Sequence, residues 1–214
     1  MSTHMDPNRP APGSALADAG VKGNARLTST TGMVLLALLA IEGLTILSVR
    51  SMITLHVFLG ILLVGPVLLK TGSTAYRFAR YYTGARPYVT KGPPHVLLRL
   101  LGPLVVASSL MLLGTGVALL AVKPSDPGLL LQAHKASFAI WFAVMTIHVL
   151  GHLKDGSLTA WRELRSVTHG SATQGRGLRF ALIALALVFG VVAAGALLPT
   201  ASPWTTGATG RANR

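Results

Sequence analysis

The 214-residue chain contains no cysteine, and only 12% of its residues are charged. The absence of cysteine excludes disulfides, iron–sulfur clusters and thiolate metal sites, because each of these needs a thiol. A soluble domain carries about a quarter charged residues, so much of the usual charge is missing. Acidic residues are the scarcest: 6 Asp and Glu stand against 19 Lys and Arg, for a formal charge of +13.

Long apolar runs take the place of the missing charge. Hydrophobic residues make up 51% of the chain, and runs of about 20 such residues can cross the hydrocarbon core of a membrane. Five runs occur, at residues 30–49, 52–71, 96–122, 129–153 and 178–198. We therefore predict an all-α integral membrane helical bundle of about five transmembrane helices. The basic excess then sets topology and contacts anionic membrane lipid, so no nucleic-acid partner is expected.

The apolar runs divide the chain into five predicted regions. These are a disordered cytoplasmic arm at 1–27, a four-helix cofactor-binding bundle at 28–153, a cytoplasmic loop at 154–177, a fifth transmembrane helix at 178–198 and an extracytoplasmic tail at 199–214. Basic residues concentrate in the arm, in the 72–95 link and in the 154–177 loop. The positive-inside rule then predicts a cytoplasmic N-terminus and an extracytoplasmic C-terminus.

Histidines are the main ionisable residues inside the predicted spans, where such groups are costly and therefore indicate function. His56 and His134 each lie about one turn into the second and fourth spans, which run in the same direction, so they share a depth near the outer surface. His95 and His148 share a depth near the inner surface. Two histidines at one depth on different helices can supply both axial ligands of a haem. The pattern predicts haem b, at least one copy and two when both pairs are used.

Spacing along the fourth span supports this prediction. His134 and His148 are 14 residues apart, which is a rotation about 40° short of four full turns and a rise of about 21 Å. Both therefore lie on nearly the same face. Alternatives remain open from the sequence: a transmembrane histidine is often a hydrogen-bonded packing residue. His152 could replace an inner ligand, bond to a propionate, or form a metal clamp with His148 at i, i+4.

Three other residues in the spans are candidates for the cofactor site. Glu42, in the first span near the depth of His56, could orient an imidazole, bind a quinol hydroxyl, relay a proton or bond to a neighbouring helix. Gly60 follows His56 by one turn and either leaves room for the macrocycle or serves helix packing. Arg99, one turn into the third span, is a candidate partner for a propionate.

The histidine pattern resembles the bacterial membrane-bound cytochrome b group, which includes the cytochrome b561-like proteins and the b-type subunits of formate dehydrogenase and nickel–iron hydrogenase. The resemblance implies two b haems in a helical bundle of a bacterial plasma membrane. It also implies that one late helix ligates both haems through His134 and His148, with His56 as the second outer ligand. The first span has no histidine, so His95 substitutes for the inner partner, and Lys70 stands 14 residues after His56.

The function implied is electron transfer across the bilayer between a quinone pool and a partner oxidoreductase. The chain would be an electron-transfer subunit rather than a self-contained enzyme, and a quinone site is compatible with it. The alternative is a non-redox membrane protein, such as a proton-coupled carrier or an assembly factor, with Glu42 and the histidines as a relay. We find neither the inverted repeats nor the broken helices that are usual in transporters, which favours the cytochrome.

Overall fold

The computed structural model describes residues 12–90, 96–165 and 175–204, with side chains from residue 19 onward and, in the second range, from residue 99. The regular structure in these ranges is helical: α1 (Pro12–Leu47), α2 (Val49–Leu62), α3 (Val64–Tyr82), α4 (Arg86–Thr90), α5 (Val96–Leu119), α6 (Gly128–Arg165) and α7 (Arg176–Leu197), then a 3-10 turn at Leu198–Ala201. Counting α2 and α3 as one span, five helical segments are long and apolar enough to cross a membrane. The all-α class is confirmed, and the chain has the features of a multi-pass membrane protein.

Two helices are longer than the apolar runs from which they were predicted. Helix α1 begins at Pro12, so residues 12–27 of the predicted disordered arm are helical, and α6 continues to Arg165 into the predicted loop. Both extensions pack in the bundle, since Arg26 of α1 contacts Glu163 of α6. Packing stabilises helices that show little amphipathic pattern of their own. Residues 1–11 and 166–174 of these two regions lie outside the described residues.

The bundle has two distinct ends. We call one the turn end, where Ser48 joins α1 to α2 and residues 120–127 join α5 to α6. The other is the basic end, where α3 and α6 finish and α7 begins. At the turn end the indole N–H of Trp204 points at the carbonyls of Leu119 and Val122, each 3.0 Å away. The Leu119 carbonyl also accepts from the N–H of Val122, so the indole fastens residue 204 to the turn that follows α5.

Helix packing places α2–α3 opposite α6. Helix α6 packs chiefly on α5 and then on α1, whereas α2–α3 packs on α1 and α7 and more sparsely on α5. Within the described ranges α6 is not extensively packed against α2 or α3. The histidine-bearing helices therefore face each other along a diagonal of the bundle, and α1 and α5 flank them.

Helix α7 packs tightly where α2 gives way to α3. Pro66 lacks the N–H that would bond to the Leu62 carbonyl, so the helix is interrupted between Leu62 and Val64. A Cβ at Gly65 would overlap the Ala186 carbonyl, and a Cβ at Gly190 would overlap the Leu62 carbonyl. Glycine lets two membrane helices approach this closely. The fifth span, α7, therefore packs closely against the second span, α2–α3, and stabilises it.

The opposite face of α7 is apolar and exposed. Leu185, Val188, Phe189 and Val192 form a stripe at helical spacing and are 52–64% exposed. A surface helix of a soluble protein carries polar residues on such a face. The stripe is therefore suited to contact with lipid.

Gly190→Ala is expected to destabilise the protein by about 1–3 kcal/mol, because the new methyl overlaps backbone that cannot rotate away. The measurement is thermal unfolding in detergent. Gly195→Ala is the matched control: it is on the same helix, a Cβ there meets no atom within 4 Å, and alanine favours a helix. Equal unfolding temperatures for the two variants would contradict the close packing.

Candidate functional site

A buried polar cluster lies at the turn end, where α1 meets α2. The Nδ1 atom of His56 is 2.8 Å from Glu42 Oε1 and 3.0 Å from Thr45 Oγ1. Thr45 donates its hydroxyl proton to the main-chain oxygen of Glu42 at 2.6 Å. Because this bond uses the only hydroxyl proton, Nδ1–H of His56 is the donor to both oxygen atoms. Helix α1 thus holds the imidazole through Nδ1, with the lone pair on Nε2.

The same arrangement recurs around His134 of α6. Its Nδ1 lies 3.1 Å from Thr115 Oγ1 on α5. Thr115 directs its hydroxyl proton to the carbonyls of Met111 and Leu112, at 2.8 and 3.0 Å. With its hydroxyl proton directed to these carbonyls, Thr115 accepts from Nδ1–H of His134 in the tautomer that carries the lone pair on Nε2. The ring lies close against α5, since a Cβ at Gly116 would come within 3.1 Å of its Cε1 atom.

Both held imidazoles lie in the turn-end half of the bundle. His134 lies close enough to both His56 and Glu42 for electrostatic interaction. The two histidines belong to helices that face each other on the bundle diagonal, and their hydrogen-bond partners come from the two flanking helices. Gly60 lies beside this cluster, where a Cβ would be 3.9 Å from Glu42 Oε1, an ordinary contact distance.

Thr45 and Thr115 were not predicted as site residues, although both contact a histidine. A signal was present for each: Thr45 follows Glu42 by three residues, and Thr115 lies between two glycines in an apolar run. Hydroxyl residues are common in membrane helices, where they usually bond to the preceding turn. Only the relative rotation of the helices identifies the two that also face an imidazole.

A second group of nitrogen-bearing side chains lies nearer the basic end. The rings of His148 and His152 are 4.8 Å apart, and both interact electrostatically with Lys70 of α3. The Nδ1 atom of His148 is buried and has no hydrogen-bond partner among the described residues. Lys70 Nζ donates to the carbonyl of Thr28 at 3.0 Å. Lys70 thus connects α3 to α1.

The other predicted inner residues have different surroundings. His95 lies outside the described residues. Arg99 donates to the hydroxyl of Tyr82, and its guanidinium is 5.5 Å from the centre of that ring, so it links α5 to the end of α3. In the described part of the chain no group of three or more His, Asp and Glu residues could hold a metal ion. A clamp of His148 and His152 thus has no third protein ligand there.

A buried ion-pair network connects three helices at the basic end. Glu163 of α6 is only 1% exposed. Its Oε2 is 3.0 Å from Arg26 Nη1 of α1, and its Oε1 is 2.7 Å from Arg179 Nε of α7. The positive-inside pattern accounts for both arginines through topology alone. Here they also neutralise a buried carboxylate and join α1 and α7 to α6.

No family model, curated protein or solved structure matches this chain. The geometry of the described residues therefore carries the functional argument. Its main feature is a pair of imidazoles on facing helices, each held by a hydrogen bond at Nδ1.

Proposed function

We propose that the chain is a b-type haem membrane cytochrome, with His56 and His134 as the axial ligands of a haem at the turn end. The supporting observation is that each ring has hydrogen-bond contacts at Nδ1 and none at Nε2 among the described residues. A hydrogen bond from Nδ1–H determines which ring nitrogen can bind a metal, and in that tautomer Nε2 of both histidines would be the ligand atom. Haem iron in b-type electron carriers takes two such ligands on opposite faces.

The residues around the pair fit this cofactor. The helices that carry His56 and His134 do not pack extensively on each other, and the flanking helices orient both rings. Because Gly116 has no side chain, the His134 ring can lie against α5. Gly60 likewise leaves space on the surface of α2 next to His56. A haem bound there would supply one-electron transfer. The buried side chains would keep water from it and hold the ligands in place.

Glu42 would adjust the electronic character of the site. A carboxyl oxygen that accepts Nδ1–H makes the imidazole a stronger donor to a metal. Thr115, a neutral acceptor, would have a weaker effect on His134. The two ligands would thus differ in donor strength, with His56 the stronger.

The wider role proposed is electron transfer across the bilayer between a quinone pool and a partner oxidoreductase subunit. The basic end would face the cytoplasm of a bacterium, with the N-terminus on that side and the C-terminus outside. Charge supports this orientation. The described basic residues near the basic end include Arg26, Arg77, Arg80, Arg162, Arg165, Arg176 and Arg179, whereas Arg50, Lys123 and Lys135 lie near the turn end.

The test is the absorption spectrum of the purified protein from haem-replete cells. Dithionite-reduced protein is expected to show the Soret and α bands of low-spin b haem, and a pyridine haemochrome assay should give at least one haem per chain. Folded but colourless protein would contradict the proposal.

The Glu42–His56 hydrogen bond also favours the alternative of a proton-coupled carrier, because a carboxyl and an imidazole 2.8 Å apart can exchange a proton. Glu42→Gln separates the two functions. A cytochrome should retain its haem, with a raised midpoint potential because the imidazole becomes a weaker donor. A carrier should lose proton movement in reconstituted vesicles and contain no haem in either form.

A further inference from the structure

A cavity of about 440 Å³ lies between α1, α3 and α7 at the basic end. All three helices contribute to its walls, which include Gly20, Gly23, Tyr76, Leu178 and Arg179. The volume is within the range of sites that bind small molecules. Leu178 and Tyr76 are 66% and 54% exposed, so the cavity opens at the outer surface of the bundle. A ligand could therefore enter from the side.

The cavity lies at the level where three apolar runs begin or end. Leu27 of its α1 wall comes three residues before the run at 30–49, and Ser73 of its α3 wall comes two residues after the run at 52–71. Leu178 is the first residue of the run at 178–198. Hydrocarbon gives way to lipid headgroups where such runs end. The cavity therefore spans the boundary between acyl chains and headgroups.

The walls change in character across this boundary. The side nearer the bundle centre is apolar and includes Leu27 and Leu182. Towards the basic end, Asn24 Nδ2 donates one of its two protons to the Ser73 carbonyl at 3.2 Å. Tyrosine, here Tyr76, is typical of membrane interfaces, because its ring contacts lipid while its hydroxyl reaches the polar layer. An apolar part beside a polar part fits an amphiphile better than a soluble metabolite.

The polar part of the cavity has positive charge at its wall. Nε and Nη2 of Arg179 face the carboxylate of Glu163. Nη1 is directed elsewhere, since it lies 3.6 Å from the position of a Cβ on Gly23 and 3.5 Å from one on Gly175. Both glycines line the cavity, so the guanidinium reaches its wall. A phosphate group placed there would be attracted by this charge and by the other arginines of the basic end.

We propose that this cavity binds one anionic phospholipid, with its phosphate near Arg179 and an acyl chain against Leu27, Leu178 and Leu182. The inference does not depend on haem, because it needs only a membrane and the walls of three helices. Helices α1 and α7 contact each other more sparsely than either contacts α3. A lipid between them would fill this gap and stabilise the folded state by binding to it.

The test uses full-length protein that has been purified in detergent and stripped of lipid, with native mass spectrometry to count bound lipid. The probes are phosphatidylglycerol and phosphatidylcholine with the same acyl chains, and inorganic phosphate. The parent should retain one phosphatidylglycerol per chain and bind it roughly fivefold more tightly than phosphatidylcholine, because basic residues attract the anionic headgroup. Its Tm should rise with phosphatidylglycerol and not with inorganic phosphate, which has no acyl chain to bury.

Gly20→Leu fills the cavity and should abolish retention of phosphatidylglycerol. A Cβ at Gly20 meets no atom within 4 Å, and leucine favours a helix over glycine, so the fold should be kept. Gly72→Leu is the matched control. Gly72 is an exposed helical glycine of α3 with similar open space, and it does not line the cavity. Gly72→Leu should therefore bind phosphatidylglycerol as the parent does.

Equal retention of phosphatidylglycerol by Gly20→Leu and Gly72→Leu would overturn the inference, because the lipid would then be bound elsewhere. Equal affinity for the two lipids, an equal rise in Tm with inorganic phosphate, or retention of a short-chain quinone in preference to phosphatidylglycerol would also overturn it. If Gly20→Leu fails to fold, Ala19→Leu fills the cavity from the neighbouring position and is judged by the same outcomes. Colourless protein that retains phosphatidylglycerol would contradict the proposed function and leave the lipid site intact.

Discussion

Replacing His134 with alanine is expected to abolish haem binding at the turn end while the protein remains folded. The substitution removes one of two axial bonds, and the nearest polar side chains, Thr115 and Ser137, have only hydroxyl groups to offer. His56→Ala should cause the same loss of haem, because it removes the other axial ligand. The measurement is haem per chain, with helix content by circular dichroism as the test of folding.

The neighbouring residue provides a matched control. Lys135 is exposed, one position along α6, so Lys135→Ala should keep the full haem content. If His134→Ala retained the parental haem content and spectrum, the assignment of His134 as a ligand would be wrong.

Thr115→Val tests the hydrogen bond separately from the ligand. The variant preserves side-chain shape but removes the acceptor for Nδ1–H of His134. Loss of such a partner typically weakens metal binding by about 10–100-fold, so haem should remain at saturation but pass faster to a competing haem-binding protein. Loss as complete as in His134→Ala would mean that Thr115 is needed for packing rather than orientation.

The number of spans could be predicted because it depends on local properties. Hydrophobic length is readable in each run, and helical periodicity relates His134 to His148 without knowledge of the other helices. The depth match of His56 and His134 required only the direction of each span. These local features are sufficient to identify the two turn-end histidines as candidates from the amino-acid sequence alone.

What could not be predicted depends on how the helices rotate and pack. The sequence does not reveal that Thr45 and Thr115 face imidazoles, because that requires the rotation of α1 and α5 in the bundle. Nor does it reveal that Lys70 donates to the Thr28 carbonyl, which requires α3 to pack on α1.

The basic end contains another feature that could not be predicted from the sequence. Glu163 follows a predicted transmembrane segment in a polar region, where an acidic residue is normally solvated. Its burial results from two arginines, on helices that are distant in sequence, converging on one carboxylate. The stability of the basic end should therefore depend strongly on this one carboxylate.

Glu163→Gln is expected to lower the free energy of unfolding by about 3–5 kcal/mol, because removing one member of a buried ion pair leaves the remaining charge uncompensated. Arg179 is 7% exposed and cannot readily turn its guanidinium to solvent, whereas the side chain of Arg26 is 23% exposed and can do so more easily. Most of the cost should therefore come from Arg179. For a chain of this size the change corresponds to a fall in Tm of roughly 10 °C.

A double variant separates charge from packing. Glu163→Leu combined with Arg179→Met removes both buried charges and keeps apolar volume, so it should be more stable than Glu163→Gln alone. Asp155→Asn, an exposed acidic residue on the same helix, is the control and should unfold at the parental temperature. If Glu163→Gln and Asp155→Asn unfolded together, the network would contribute nothing to stability. If Glu163→Gln were destabilised but kept its turn-end haem, the ion pairs would stabilise the basic end independently of the cofactor site, as their separation along the bundle implies.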